Sequence, residues 1–340
     1  MKYPPLKNYI NGKPTAASSA KTLEVISPID GTLLSTVPMS TAKDLNDAVM
    51  VAQKAFVSWS RKPIKERVQV FFKFKTLLER DLNILAALVQ EENGKTLGEA
   101  VAEVEKCIEL TEFATSLPQL ISGEVLEVSK GVECRTEHVP LGIVASIVPF
   151  NFPAMVPNWT IPNAIALGNC MIMKPSEKVP MSCMKIAELL QEAGLPDGVF
   201  NIVNGDVEIV NAICDHPAIE AVSFVGSTKV AKIVYQRATH NYKRALALGG
   251  AKNHLMVLPD AKEDMTAANV VASMSGCAGQ RCMAASAMVG VGKIDHIIEK
   301  IVAEAKKDVP GQKPRAVINK ERKKRIERKI NKAEKNRTKK

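Results

Sequence analysis

Residues 142–153 read Gly-Ile-Val-Ala-Ser-Ile-Val-Pro-Phe-Asn-Phe-Pro, and this stretch decides the fold class. Ile143 to Val148 form a nearly continuous apolar run, which is typical of a β-strand buried on both faces. Further apolar runs follow with helical stretches between them: the runs are Met171–Met173, Val199–Val203 and Ala221–Val225, and the helices are Met181–Ala193 and Val207–Cys214. This alternation predicts an α/β fold with a doubly wound, mostly parallel sheet.

The sequence before residue 142 predicts a β-rich entry, several helices and a hairpin. Turn residues separate short apolar pieces over residues 8–35. The helical segments begin at Thr41, span Val68–Glu91 and span Leu97–Ala114, and their breaks fall at Pro63 and Asn93-Gly94. Residues 119–140 favour a β-hairpin, since three valines there favour strands and two glycines favour turns.

The net charge of +10 comes from the last part of the chain. Residues 310–340 hold 14 of the 46 Lys and Arg but only 3 of the 36 Asp and Glu. A basic segment of this kind is usually a solvated amphipathic helix, which is the interpretation we favour. Contact with nucleic acid or an acidic lipid is the less favoured alternative.

Cysteine usage indicates a reducing compartment. The seven cysteines are odd in number and lack the spacing of a small disulfide-bonded domain. They are Cys107, Cys134, Cys170, Cys183, Cys214, Cys277 and Cys282. The N-terminus lacks the apolar run of a secretory signal, no stretch is long enough to cross a bilayer, and the five His show no metal-ligand spacing. We therefore predict a cytoplasmic protein with neither a membrane segment nor a metal site.

Two short motifs at predicted strand ends favour nucleotide binding. Residues 224–228 read Phe-Val-Gly-Ser-Thr, so that Ser227 opens a helix whose free N–H groups would attract a pyrophosphate. Residues 173–177 read Met-Lys-Pro-Ser-Glu, and Lys174 with Glu177 would suit ribose hydroxyls. Each motif also has a plain structural interpretation, as a capped helix start and as a strand end with solvated charges.

Two further segments supply candidates for covalent chemistry. Residues 149–153 hold Asn151 between prolines, which fix the backbone and leave its amide as a rigid donor. Residues 276–282 read Gly-Cys-Ala-Gly-Gln-Arg-Cys, where Arg281 precedes Cys282 and glycines leave room for a substrate. A neighbouring Arg favours the reactive thiolate. On composition alone, a structural Asn and an inert core Cys are the commoner interpretations.

The order of these motifs resembles the aldehyde dehydrogenase superfamily over residues 5–335. The segments in order are Pro-Phe-Asn-Phe-Pro (149–153), Lys-Pro-Ser-Glu (174–177), Phe-Val-Gly-Ser-Thr (224–228), Leu-Gly-Gly (248–250) and Gly-Gln-Arg-Cys (279–282). The wider segments 150–157, 250–254 and 279–283 resemble the methylmalonate-semialdehyde (also malonate-semialdehyde) branch. That branch transfers an acyl group to coenzyme A.

The resemblance implies roles for nine residues and NAD as the cofactor. Cys282 aligns with the nucleophile and Asn151 with the amide that stabilises the oxyanion. The expected NAD contacts are Phe150, Lys174, Glu177, Lys178, Ser227 and Gly249. Lys178 stands where relatives often carry Arg. Arg281 would bind the carboxylate of a semialdehyde substrate, or else tune the thiol or cap the loop.

One departure from the family pattern bears on the acyl acceptor. Hydrolytic members carry a Glu just before Leu-Gly-Gly, where it activates water, and this chain has Ala247 there. Because Ala cannot accept a proton, acyl transfer to CoA is expected in place of hydrolysis. A hydrolytic enzyme with a relocated base and a non-catalytic fragment with a basic tail are the alternatives.

The resemblance also predicts a domain organisation. Residues 1–119 and 141–247 would form a Rossmann-like NAD domain, 120–140 a β-hairpin arm for homo-oligomer assembly, and 248–340 an incomplete α/β catalytic domain. Relatives are expected to run on past residue 340. We therefore expect apolar faces at Val289, Val291 and along a helix at Ile297, Ile298, Ile301 and Val302 to be partly uncovered.

Overall fold

The computed structural model describes residues 1–307 and 316–337, so residues 310–315 and 338–340 of the basic segment lie outside the described residues. The strands are β1 (Asn8–Ile10), β2 (Lys13–Thr15), β3 (Thr22–Ile26), β4 (Leu33–Pro38), β5 (Glu124–Ser129), β6 (Val132–Thr136), β7 (Ile143–Ile147), β8 (Cys170–Lys174), β9 (Phe200–Ile202), β10 (Ile219–Val225), β11 (Arg244–Leu248), β12 (Asn253–Val257) and β13 (Ala285–Gly290). The helices are α1 (Ala42–Trp59), α2 (Ile64–Arg80), α3 (Leu82–Asn93), α4 (Leu97–Thr115), α5 (Leu117–Leu120), α6 (Met155–Ala166), α7 (Met181–Glu192), α8 (Val207–Asp215), α9 (Thr228–His240), α10 (Glu263–Ser275), α11 (Asp295–Ala305) and α12 (Lys320–Arg337).

The largest sheet is doubly wound, as the sequence predicts. Its strand order is β11-β10-β7-β8-β9-β1-β2, with β7 to β11 parallel and β1 and β2 antiparallel. Every residue of β7 and of β8 is buried, which explains their unbroken apolar sequences. The chain passes from β7 to β8 and β9 on one side and to β10 and β11 on the other. The strand order therefore reverses between β7 and β10, where α/β proteins form their binding crevice.

Helices cover both faces of this sheet. Contacts place α1 and α8 together on one face, with α9 beside α8, while α6 and α7 pack on the other face below α2. Apolar periodicity sets these faces: Leu45, Val49 and Ala52 of α1 are fully buried in the main core. The indole of Trp59 is also buried and donates to the Ile165 carbonyl over 3.0 Å.

The prediction of one continuous helix over Val68–Glu91 is wrong, because the chain bends at Asp81. Asp81 leaves the helical region at φ −97° and ψ 14°. Its N–H closes α2 on Leu77, while its carbonyl accepts from Leu85 at the start of α3. The buried carboxylate is held by Arg80 at 2.8 Å and Lys185 at 3.3 Å, which ties the bend to α7. The apolar repeat continues through the bend, so periodicity alone does not reveal it.

The hairpin and the segment after residue 250 stand apart from the main sheet. Strands β5 and β6 pair antiparallel, as predicted, and each of their residues is exposed. Strands β12 and β13 form a separate parallel pair that packs with α10 and α11 around a second, smaller core. Of the predicted uncovered residues, Ile297 and Ile301 are buried in that core. Val289, Val291, Ile298 and Val302 are between 39% and 47% exposed.

Candidate active site

A cavity of about 840 Å³ opens where the strand order reverses. It lies beyond the carboxyl ends of β7 and β10, because each strand there runs directly into a lining loop. All nine residues assigned from the sequence line this cavity: Phe150, Asn151, Lys174, Glu177, Lys178, Ser227, Gly249, Arg281 and Cys282. The fold thus brings together groups that are up to 132 positions apart in sequence, counting from Phe150 to Cys282. Their individual roles remain predictions.

The loop after β7 and the loop carrying Cys282 are in direct contact. The side-chain amide of Asn151 donates to the Gln280 carbonyl over 2.6 Å. Because an amide nitrogen carries two hydrogens, the second remains available to a substrate oxygen. This contact fixes Asn151 two residues from the predicted nucleophile.

The turn that leads to Cys282 is strained. Cys277 and Ala278 have φ of 49° and 52°, in the left-handed region that non-glycine residues rarely adopt. After the turn, Asn253 of β12 donates to the Cys282 carbonyl over 2.7 Å and to the Ala284 carbonyl over 3.1 Å. Asn253 therefore anchors the backbone of Cys282 to the smaller sheet. The Cys282 side chain itself is partly exposed to the cavity.

Residues 93–103 hold both loops in place through hydrogen bonds, and the sequence motifs do not predict this role. Asn93 donates to the Phe150 carbonyl over 2.7 Å, and Lys95 to the Asn151 carbonyl over 2.9 Å. Lys95 also forms an ion pair with Glu103, and both side chains are almost completely buried. The Glu103 carboxylate accepts the Ala154 and Met155 N–H groups at the start of α6, over 2.8 and 3.0 Å.

Sequence patterns gave little sign of these hydrogen bonds. Asn93-Gly94 predicts only a helix break, and Gly94 does end α3 at φ 82°. Glu99 and Glu103 are four residues apart on one helix, and this spacing is typical of a solvated acidic face. Only the approach of the distant loops at residues 150–155 and 277 shows that both carboxylates are ligands of backbone N–H groups.

Arg281 is already paired in this structure. Its guanidinium lies 3.1 Å from the Glu99 carboxylate, which also accepts the Cys277 N–H over 2.9 Å. Burial would raise the pKa of Glu99, but the Thr96 and Cys277 N–H groups and the charge of Arg281 bring it below its ordinary value. Because Glu99 offsets the charge of Arg281, the positive charge available to stabilise a Cys282 thiolate is smaller than the sequence implies.

The far end of the cavity presents groups suited to a nucleotide. Lys174 lies 3.3 Å from Glu177, and burial lowers the pKa of Lys174. Burial would raise the pKa of Glu177, but the charges of Lys174 and Lys178 bring it below its ordinary value. The Nζ of Lys178 sits 5.8 Å from the centre of the Phe150 ring.

The start of α9 forms the remaining wall. Ser227 caps α9 in an extended conformation, and its hydroxyl makes no capping bond. Thr228 Oγ1 accepts the Gly250 N–H over 3.0 Å, and a Cβ on Gly249 would come within 3.1 Å of the Thr228 Cα. The glycine therefore allows the Leu-Gly-Gly strand to approach the helix start. An open helix N-terminus and a cavity of this volume fit a dinucleotide cofactor.

Comparison with known proteins identifies the class. The family model described as "Aldehyde dehydrogenase family" matches residues 15–340, and this chain belongs to that family. The chain is similar to malonate-semialdehyde dehydrogenase 1 of Geobacillus thermodenitrificans, with 46% identity over 302 residues, 88% of this chain and 62% of that protein. It is also similar to the malonate-semialdehyde dehydrogenase of Lacticaseibacillus casei, with 47% identity over 308 residues, 89% of this chain and 62% of that protein.

The solved structures that match this chain include methylmalonate-semialdehyde dehydrogenases. A Sinorhizobium meliloti structure in complex with NAD, provisionally assigned as a methylmalonate-semialdehyde dehydrogenase, matches with a TM-score of 0.92 and 39% identity, covering 97% of this chain and 69% of that one. The methylmalonate-semialdehyde dehydrogenase of Oceanimonas doudoroffii matches with a TM-score of 0.86 and 41% identity, and the match covers 90% of this chain and 62% of that one. These matches confirm the family and the α/β fold class predicted from the sequence. The chain spans about 62% of the length of the curated relatives it matches.

The described residues contain neither a helix suited to cross a bilayer nor a cluster suited to hold a metal ion. Over residues 1–307 and 316–337, no helix combines the length and apolar character needed to cross a bilayer. Within the same ranges, no group of three or more His, Cys, Asp or Glu side chains is placed to hold a metal ion.

Proposed function

We propose that this chain acts as an NAD-dependent semialdehyde dehydrogenase that passes its acyl group to coenzyme A. One observation carries the proposal: Asn151 and the loop of Cys282 are in hydrogen-bond contact at one cavity, and nucleotide-type groups line its other end. The names of the relatives support malonate or methylmalonate semialdehyde as the substrate. A cytoplasmic location agrees with the seven unpaired thiols.

The first step is addition of the Cys282 thiolate to the aldehyde carbon. The carbonyl oxygen becomes an oxyanion, and the second amide hydrogen of Asn151 donates to it. A donor of this kind contributes about 3 kcal/mol in the transition state. NAD, held near Gly249, supplies the hydride acceptor when bound. The acyl group then remains on Cys282 as a thioester.

The groups at the cavity favour a thiol over water as acyl acceptor. Ala247 occupies the position of the hydrolytic Glu, and it lies within β11 in register with Phe224. Among the described residues that line the cavity, the carboxylates are Glu177 and Asp206, which pair with Lys174 and Lys21. The described lining residues thus offer no unpaired carboxylate as a base for water, whereas the CoA thiol ionises readily by itself.

For malonate semialdehyde the reaction balances with loss of CO2. The aldehyde, CoA and NAD⁺ give acetyl-CoA, CO2 and NADH, since the aldehyde hydrogen leaves as hydride and the thiol proton replaces the carboxylate on carbon. Methylmalonate semialdehyde gives propionyl-CoA in the same way. Arg281 is the group proposed to bind the substrate carboxylate, sharing its guanidinium with Glu99.

Turnover measured with and without CoA tests the acceptor. NADH formation from malonate semialdehyde should depend on CoA and vanish in Cys282→Ser. Turnover that CoA leaves unchanged would instead indicate hydrolysis.

Arg281→Gln should raise the KM for malonate semialdehyde by a larger factor than the KM for propanal, which has no carboxylate. An equal factor for both aldehydes would show that Arg281 does not bind the substrate carboxylate.

The proposal also extends to assembly. The β5–β6 hairpin exposes Val125, Leu126, Val128 and Val132 at 51% to 61%, as an arm that packs on another subunit would. We propose a homo-oligomer in which this arm is covered. Sedimentation of the chain with these four positions changed to Thr should show a smaller species, and an unchanged species would contradict the arm's role.

A further inference from the structure

One face of the basic helix α12 lines the cavity. Residues 322, 325, 326 and 329 are the members of α12 that reach it. Their spacing of three, four and seven positions defines a single helical face. Three of the four are cations: Arg322, Arg325 and Lys329. The basic segment that looked like a merely solvated helix therefore turns part of its charge toward the active site.

The start of α12 is tied to the catalytic loop. Gln280 donates to the Ala316 carbonyl over 3.3 Å and accepts the Ile318 N–H over 3.2 Å. The Ala316 N–H donates to the Gly94 carbonyl over 2.8 Å. The Asn319 side chain then caps the Arg322 N–H over 3.0 Å. These bonds fix the orientation of the first turn of α12 relative to Cys282.

Most cations that line the cavity lack a carboxylate partner among the described residues. Glu177 and Asp206 pair elsewhere, and Arg281 pairs with Glu99. Within residues 1–307 and 316–337, no ion pair engages the remaining lining cations, which are Lys178, Lys252, Arg322, Arg325 and Lys329. Arg322 and Lys178 both approach the Phe150 ring, at 5.7 and 5.8 Å. Five cations without a carboxylate partner among the described residues therefore line one cavity.

This charge exceeds what NAD needs. The pyrophosphate of NAD carries two negative charges, whereas CoA carries about four, because its ribose bears a further phosphate monoester. We propose that the cavity face of α12 binds the phosphates of CoA, with Arg322, Arg325 and Lys329 as ligands of the nucleotide end of CoA. This inference rests on the proposed function, since it names the place where the proposed acyl acceptor binds.

Binding of CoA without aldehyde tests the inference independently of turnover. The test variant is R322Q/R325Q/K329Q in the full chain. The matched control, K320Q/K324Q/R328Q, removes three charges from the opposite side of the same helix. Titration calorimetry with CoA, dephospho-CoA (which lacks the ribose phosphate), NAD and NADP gives four affinities for each protein.

We expect the test variant to bind CoA roughly tenfold more weakly, since three partly exposed charge contacts are lost. The control variant should bind CoA within about twofold of the original chain. The original chain should prefer CoA to dephospho-CoA, and the test variant should lose that preference. NAD affinity should change much less than CoA affinity.

Three results would overturn the inference. One is equal affinity of the original chain for CoA and dephospho-CoA. Another is an equal loss of CoA binding in both variants, which would show a bulk charge effect. The third is a test variant that loses affinity for NADP but not for CoA. If CoA binding follows the expected pattern while CoA-dependent turnover is absent, the inference stands and the proposed function fails.

Discussion

At the scale of single residues, burial separates the seven cysteines. Cys107, Cys170, Cys183, Cys214 and Cys277 are buried, whereas Cys282 is partly exposed and Cys134 is exposed on the hairpin. Burial raises the pKa of each buried thiol, to about 12 for Cys170 and about 11 for Cys214. Those five therefore hold little thiolate at neutral pH, so accessible thiol chemistry belongs to Cys282 and Cys134.

We expect iodoacetamide to label Cys282 first among the seven thiols, and NAD to change the rate at Cys282 alone. The reason is that Cys282 lies in the cavity where the nucleotide would bind, while Cys134 lies outside it. Cys134 is the internal control, because its rate should be the same with and without NAD. Peptide mapping that found Cys214 or Cys107 labelled while Cys282 stayed unmodified would contradict the assignment.

At the scale of elements, the start of α4 couples the two catalytic loops. The ion pair of Lys95 and Glu103 is buried beneath Phe152, whose ring centre lies 4.4 Å from the Lys95 Nζ. Both members of the pair have further partners, since Lys95 also donates to the Asn151 carbonyl and Glu103 accepts N–H groups at the start of α6. Removing one charge leaves the other buried without compensation, which is costly.

Lys95→Met should therefore lower the free energy of unfolding by about 3 to 5 kcal/mol. The double variant Lys95→Met/Glu103→Gln should lose less, because no unpaired charge remains and Gln still accepts the α6 N–H groups. Urea unfolding measures both. Lys43→Met, which breaks an exposed pair with Asp47, should leave stability nearly unchanged. A single variant no more costly than this control would show that the buried pair contributes little.

Glu92, at the junction of α3 and α7, should make the free energy of unfolding depend on pH. It is completely buried and accepts the Met181 and Ser182 N–H groups over 2.7 and 2.9 Å. Burial raises the pKa of Glu92 from 4.5 to about 7. Between these values the folded state holds a proton that the unfolded state releases. This group therefore makes stability fall as pH rises from 4.5 to 7, by about 3 kcal/mol in all.

Glu92→Gln should remove this contribution, so that the unfolding free energy at pH 7, taken relative to that at pH 4.5, lies about 3 kcal/mol higher than in the original chain. The change between the two pH values is the readout, because the variant also alters one hydrogen bond. Glu105→Gln, at an exposed position of α4, should keep the original dependence. The same dependence in Glu92→Gln as in the original chain would show that Glu92 does not take up a proton on folding between pH 4.5 and 7.

At the scale of the whole molecule, the two cores differ in how completely they are covered. The main core is enclosed by helices on both faces of the large sheet. The smaller core leaves Met256, Met288 and Val289 exposed on its strands and Ile298 and Val302 on α11, at 39% to 68%. Adjacent exposed apolar side chains favour association.

We expect Ile298→Lys/Val302→Lys to lower the fluorescence of bound anilinonaphthalene sulfonate and to reduce light scattering. Stability should change by less than about 0.5 kcal/mol, because both positions are already exposed. Ile297→Lys is the contrasting change: that residue is fully buried, so the variant should unfold the smaller core. Dye fluorescence and scattering that the double variant left unchanged would show that this surface does not drive association.

Local patterns in the sequence predicted the doubly wound sheet and the hairpin. The resemblance of the ordered motifs to the aldehyde dehydrogenase superfamily supplied the family and the nine residues that line the cavity. An apolar run such as Ile143–Val148 specifies a buried strand by itself, and ordered motifs at strand ends meet at one sheet edge in any parallel sheet. Domain boundaries remain a prediction, as do the roles of the nine residues.

Tertiary structure alone decided what depends on long-range contacts. Glu99 and Glu103 look solvated in sequence, yet they bind backbone N–H groups of loops that lie 51 to 178 positions away. Arg281 looks like a free cation beside a thiol, yet Glu99 pairs with it. The charges of α12 look like a uniform solvated surface, yet Arg322, Arg325 and Lys329 face the cavity. Periodicity records which side of an element is apolar, whereas the partner of a polar group is set by which distant segment the fold brings within hydrogen-bond distance.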